Sequence, residues 1–217
     1  MNGAFEGVLA GSALIFLSMF FSSIFLGRFF CAYLCPAGGI QEFCMAINNK
    51  TSKPGLNRIK WAFWFPWFAT ILAGFFFAGG IRQINPLYMT ESGISVVEPR
   101  AYLIYVPVVG LVLLLALTLG KRGFCHSACW MAPFMITGSL AGEKLKLPRL
   151  GLRKENDACI ACGACTKACP MSLNVQQMVK INKLYNNECI LCSNCADVCP
   201  KNVLKVRFGH AQNKGAH

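Results

Sequence analysis

Cys159-Ile160-Ala161-Cys162-Gly163-Ala164-Cys165-Thr166-Lys167-Ala168-Cys169-Pro170 is followed by Cys189-Ile190-Leu191-Cys192-Ser193-Asn194-Cys195-Ala196-Asp197-Val198-Cys199-Pro200. Both runs space their cysteines as Cys-x2-Cys-x2-Cys-x3-Cys-Pro. Three thiolates on one tight loop can cap three irons of a cubane, and the trailing cysteine of each run then ligates the cluster of the other run. The spacing predicts two [4Fe–4S] clusters, one on Cys159, Cys162, Cys165 and Cys199, the other on Cys189, Cys192, Cys195 and Cys169. Gly163, Ala164, Ser193 and Asn194 let the loop backbone approach inorganic sulfide, and Pro170 and Pro200 close each run without an N–H donor. Structural zinc needs neither the third x2 cysteine nor the Cys-Pro end.

These residues resemble the two-cluster bacterial ferredoxin fold, a small α+β domain of paired hairpins and short helices. The resemblance places such a domain over 156–208. It is preceded by a charged linker over 143–155 (Glu143, Lys144, Lys146, Arg149, Arg153, Lys154, Glu155) and followed by a polar tail over 209–217, expected to be disordered.

The rest of the chain reads differently. Of 217 residues, 55% are hydrophobic and only 14% charged, with a mean hydropathy of +0.47, which calls for a membrane reading of 1–142. Three stretches are expected to span a bilayer: Val8 to Leu26, Ile59 to Gly80 and Ala101 to Leu119. Trp130 to Ala141 is apolar but too short to cross. Arg28, Lys50, Lys53, Arg58, Lys60, Lys121 and Arg122 fall on one side of these spans, which assigns that side to the cytoplasm and the N-terminus to the outside. The net charge of +12 is explained by this bias, and nucleic-acid binding is set aside. The first residues, Met1 to Gly7, lack the basic start of a secretory signal. The 13 cysteines then lie in or beside a reducing, anaerobic cytoplasm, where disulfides are disfavoured.

The helical part repeats itself. Arg28-Phe29-Phe30-Cys31-Ala32-Tyr33-Leu34-Cys35 and Arg122-Gly123-Phe124-Cys125-His126-Ser127-Ala128-Cys129 each follow a span and precede a short apolar segment. This suits a duplicated membrane unit with a site between its halves. On a helix, i,i+4 cysteines share a face with Cβ atoms about 5–6 Å apart. Cys31, Cys35, Cys125 and Cys129 are therefore candidate ligands of a third cluster, [4Fe–4S] in preference to [2Fe–2S]. The competing reading is four buried structural thiols. Cys44 reads as structural, and His126 as a residue that tunes or replaces a ligand. The other histidines, His210 and His217, lie in the tail, so haem is not expected.

Here the chain resembles the membrane polyferredoxin family that includes the quinol-dehydrogenase subunit of periplasmic nitrate reductase and the membrane regulator of nitrous oxide respiration. Cys31 to Pro36 fits its Cys-x3-Cys-Pro motif, whereas Trp130 stands where the second copy has proline. The resemblance implies a multi-pass protein of a prokaryotic inner membrane with a cytoplasmic ferredoxin domain. It implies an electron-transfer subunit working between a soluble low-potential partner, such as a ferredoxin or flavodoxin, and a membrane partner, either quinone or another subunit of a redox complex. No nucleotide-binding motif, acid/base pair or activated nucleophile stands out, so a non-catalytic subunit of an oxidoreductase complex is expected. The alternative is a redox-sensing or assembly protein for a metalloenzyme.

Overall fold

The computed structural model describes residues 2–53, 55–88 and 99–209. In chain order the elements are α1 (Asn2–Phe5), β1 (Val8–Ala10), α2 (Gly11–Leu26), α3 (Phe29–Tyr33), α4 (Pro36–Cys44), α5 (Leu56–Phe77), β2 (Gln83–Asn85), α6 (Pro99–Leu119) and α7 (Gly123–Ser127). They continue with α8 (Met131–Lys144), β3 (Arg149–Lys154), α9 (Ala164–Ala168), α10 (Val175–Lys180), α11 (Asn194–Asp197) and β4 (Leu204–Gly209). The chain is mostly helical.

Two helices, α5 and α6, are long and apolar enough to cross a membrane. They are little buried: Phe63, Phe76, Phe77, Leu103 and Ile104 stand more than half exposed. Such continuous bare apolar surface is costly in water, which suggests membrane association. The first expected span differs from its reading. Val8 to Ala10 is extended and pairs in parallel with Gln83 to Asn85, so the helix starts only at Gly11 and has 16 residues.

α2 packs closely on α8, and two glycines explain how. A Cβ on Gly138 would stand 2.0 Å from Ser23 Oγ and 2.5 Å from Phe20 O, and one on Gly142 would stand 2.2 Å from Ile24 O. The bare backbone of α8 lets the helices approach as a small-xxx-small stripe does in a membrane. α7 packs on both α5 and α6, and α4 on α6. These contacts, with that of α4 on α7, bring the α3–α4 and α7–α8 units together.

The stretch read as a charged linker is not one throughout. Glu143 and Lys144 end α8, and Arg149 to Lys154 form β3, antiparallel to β4 in the register Arg149↔Gly209 to Lys154↔Leu204. This two-stranded sheet and α9–α11 make up the C-terminal part. Of the expected disordered tail, residues 210–217 lie outside the described residues.

Candidate metal centres

The two cysteine runs have the same backbone. Ala161, Gly163 and Ser172 take positive φ (54°, 76° and 53°), and so do Leu191, Ser193 and Asn202 (58°, 64° and 49°) at the corresponding places of the second run. Non-glycine residues avoid this region unless their surroundings impose it. Successive turns of this kind curl the chain round a point and make an anion-holding concavity. Gln176 pins the first loop, its Nε2 donating to Ala161 O at 2.8 Å.

The side chains gather in two sets. One small cavity is lined by Cys159, Cys162, Cys165 and Cys199, the other by Cys169, Cys189, Cys192 and Cys195. These are the two groups into which the spacing divides the eight cysteines. Among the described residues no three His, Cys, Asp or Glu side chains converge as one metal ion requires. Thiolates on separate irons of a cubane stand farther apart than those around a single ion.

Burial pushes the Cys165 and Cys195 thiols up, and Cys189 up to about 11. As free groups they would stay protonated at neutral pH, whereas a bound metal removes the proton outright.

At the edge of the helical part the two cysteine pairs are related as the repeat predicts, but not as helical i,i+4 pairs. α3 ends at Tyr33, and Cys35 is extended (φ −77°, ψ 116°) before α4 begins at Pro36. Leu34 N and Cys35 N both donate to Phe30 O, at 3.0 and 3.1 Å. Ala128 N and Cys129 N both donate to Phe124 O, at 2.9 and 3.0 Å. The helix breaks at the same step in both halves because each phenylalanine carbonyl takes two donors, and this turns the second cysteine out of helical register.

Cys31, Cys125 and Cys129 are buried and within electrostatic reach of one another; Cys35 is half-buried beside Cys31. Burial raises the pKa of Cys35 and Cys125, and that of Cys129 well above the thiol range. The surroundings hold much positive charge. Arg28, Lys60, Lys121 and Arg122 are at most 4% exposed. Arg122 donates to Cys31 O at 2.7 Å and pairs with Glu42. Arg28 and Lys60 share Glu188, at 2.8 and 2.6 Å. Burial alone would raise the Glu188 pKa, but Arg28 and Lys60 outweigh it and hold the carboxyl below its usual range.

Buried cations in excess of buried acids need a compensating anion. Arg28 Nε and Arg122 Nε are buried without a hydrogen-bond partner among the described residues, at about 1–3 kcal/mol for each unmet donor. A thiolate-ligated iron–sulfur cluster carries net negative charge and sulfide acceptors, so the residues present fit such a group.

Several of these residues carry no signal in the sequence. Gln41 is fully buried; its Nε2 donates to Cys125 Sγ at 3.2 Å and its Oε1 accepts from Phe124 N and Cys125 N at 3.1 and 3.3 Å. Of the basic residues read as loop charges at a membrane face, Arg28, Lys60, Lys121 and Arg122 are instead buried, whereas Lys50, Lys53 and Arg58 are exposed. His126 is held by Asn57 Oδ1 at 2.7 Å, and burial keeps its imidazole neutral with a pKa down to about 4. Trp64 stacks on Phe68, with ring centroids 4.8 Å apart, and is buried. Cys44 is buried at the end of α4.

Residues 158–204 match the family model described as a 4Fe-4S dicluster domain. A second model, a 4Fe-4S binding domain, matches twice, over residues 9–54 and 101–148. Each of these two matches takes in one copy of the membrane-edge cysteine pair.

The chain is related to ferredoxin-type electron transport proteins.

It is 25% identical over 189 residues to YccM of Escherichia coli (strain K12), provisionally named an electron transport protein, covering 83% of this chain and 52% of that one. It is 28% identical over 184 residues to the methylamine utilization ferredoxin-type protein MauN of Paracoccus denitrificans (strain Pd 1222), covering 78% of this chain and 59% of that one. The chain thus spans little more than half the length of these curated relatives. No solved structure matches it.

Proposed function

We propose that this chain is a membrane-bound electron-transfer subunit with three iron–sulfur sites. One observation carries the reading. Cys159 and Cys162 are exposed, Cys189, Cys192 and Cys195 are half-buried, and Cys31, Cys125 and Cys129 are buried. One continuous apolar core packs cysteines of all three sets, Cys31 and Cys125 with Cys169, Cys192, Cys195, Cys165 and Cys199. A [4Fe–4S] cluster takes up and releases an electron without making or breaking a substrate bond. The chain's own part is to hold thiolates in series, from the surface to the membrane edge, in a matrix that excludes water.

The proposed ligands are Cys159, Cys162, Cys165 and Cys199; Cys189, Cys192, Cys195 and Cys169; and Cys31, Cys35, Cys125 and Cys129. The exposed set is where a soluble partner would dock. Lys167, Lys180, Lys183, Lys201, Lys205 and Arg207 are exposed on the same domain, which favours an acidic surface such as that of a ferredoxin or flavodoxin. The buried set faces the helical part, where a membrane partner, quinone or another subunit, exchanges electrons. In this reading α2, α5 and α6 span the inner membrane, with the N-terminus outside and 156–208 cytoplasmic. α2 reaches only about 24 Å, so the β1 segment ahead of it completes the crossing of a core about 30 Å thick.

The test is anaerobic purification from membranes, with iron and acid-labile sulfide determined per chain. About twelve of each, with magnetic coupling between neighbouring clusters in the reduced spectrum, is the expected result. About eight would remove the membrane-edge cluster, and a colourless protein would end the proposal.

A further inference from the structure

A cavity of about 400 Å³ opens where the end of α2 meets β3 and the 181–191 loop. Its volume is that of a small-molecule site. Four cationic side chains line it, Arg28, Arg149, Arg153 and Lys183, against the single carboxylate of Glu143.

The guanidiniums are held in place before any ligand arrives. Arg149 donates to Ser139 O at 3.1 Å and to Ser139 Oγ at 3.3 Å, and it lies 4.1 Å above the Tyr185 ring. Its bond to Glu143 is long, 3.5 Å. Arg153 packs against Gly209, where a Cβ would stand 3.2 Å from Nη2. Arg28 is 2% exposed. The Nε atom of Arg153 is buried without a hydrogen-bond partner among the described residues, and Arg28 is paired with Glu188.

We infer that this cavity binds a phosphate-bearing anion. Fixed guanidinium forks match the oxygens of phosphate, and the four cations around the cavity face only Glu143 in its wall and Glu188 behind Arg28. Gly27, at the C-terminal end of α2, also lines the cavity. An anionic phospholipid headgroup would reach that level if α2 spans the bilayer, and a free phosphate compound offers the same chemistry. Nothing in this inference depends on how many clusters the chain holds.

The full-length protein is extracted from vesicles of mixed phosphatidylglycerol and phosphatidylcholine, and its bound lipid is counted by native mass spectrometry. Binding of inorganic phosphate is measured separately by calorimetry. The expected result is selective retention of phosphatidylglycerol, lowered about tenfold in Arg153→Gln and in Lys183→Gln, with iron content unchanged in both. Lys183 is exposed, so its substitution tests the site without endangering the fold. Binding of inorganic phosphate with no preference between the lipids, weakened by the same substitutions, supports a soluble phosphate ligand instead. Equal retention of both lipids without phosphate binding overturns the inference, and so does retention that neither substitution changes.

Discussion

Arg28 donates to Glu188 Oε2 at 2.8 Å, one residue before Cys189, and so joins the helical part to the C-terminal domain by a buried ion pair. Lys60 Nζ donates to both oxygens of the same carboxylate at 2.6 Å. One acid therefore faces two buried cations drawn from segments on either side of α4. Replacing it by Gln leaves both cations without their counter-charge. Breaking a buried pair on one side costs about 3–5 kcal/mol, and the partial exposure of Glu188 puts this case at the low end. Glu188→Gln is expected to loosen the C-terminal domain from the helical part while its own cysteine sets stay filled. Limited proteolysis between 145 and 148 should then become faster, with little change in iron per chain. Unchanged proteolysis would show that the pair does not hold the interface.

The four membrane-edge cysteines separate from Cys44 by a contrast of substitutions. Cys125→Ser removes a proposed ligand that is buried and hydrogen-bonded by Gln41. It is expected to lower the iron content by about four per chain and to leave the signals of the C-terminal clusters in place. Cys44→Ser changes a buried thiol outside the three sets, and should cost little more than the burial of a hydroxyl, with no iron lost. Equal iron content in the two variants would return Cys125 to the status of a structural thiol.

The sequence disclosed those parts of the architecture in which chemistry fixes spacing. The spacing of the eight C-terminal cysteines and the long apolar stretches of α5 and α6 both run along the chain, so both could be read there. The partners of those elements could not. Arg28 meets Glu188 across 160 positions and Gln41 meets Cys125 across 84, and no local period reports such pairings. β3 was hidden for a related reason. Its residues Arg149, Gly151 and Arg153 alternate with Leu150, Leu152 and Lys154, but the charge is what stands out, and the strand that satisfies its backbone lies beyond both cysteine runs. The break after α3 and α7 was misread because i,i+4 spacing describes a continuous helix equally well.

Gln41 is placed to set the potential of the membrane-edge site. Its amide N–H to Cys125 Sγ stabilises the more negative, reduced form of a thiolate-ligated cluster. Gln41→Leu removes that bond and also the acceptor for Phe124 N and Cys125 N. If the lost bond favours the reduced state by about 1 kcal/mol, the midpoint falls by roughly 40 mV for a one-electron couple. Redox titration followed by electron paramagnetic resonance should show one midpoint moved downward and the other two in place. Gln41→Glu, when ionised, puts a buried negative charge against Cys125 Sγ and Ala37 O, and should shift the midpoint in the same direction at a greater cost in stability. A midpoint unmoved in both variants would leave Gln41 a purely structural residue.

The close approach of α2 and α8 determines whether the two halves can meet at all. A methyl group on Gly138 would sit 2.0 Å from Ser23 Oγ and 2.5 Å from Phe20 O. The hydroxyl can rotate away, but the carbonyl belongs to the helix backbone and cannot move without shifting α2. Gly138→Ala should therefore destabilise the helical part by about 1–3 kcal/mol, as overpacking does. α8 follows directly on Cys129 and α2 ends just before Cys31, so the strain also displaces the two cysteine pairs relative to each other. The expected outcome is a lower thermal midpoint in detergent together with partial loss of the membrane-edge cluster. Gly110→Ala in α6, where an added Cβ meets nothing within 4 Å, serves as the control and should be neutral. Equal behaviour of the two variants would mean that α2 and α8 do not pack as closely as the geometry has them.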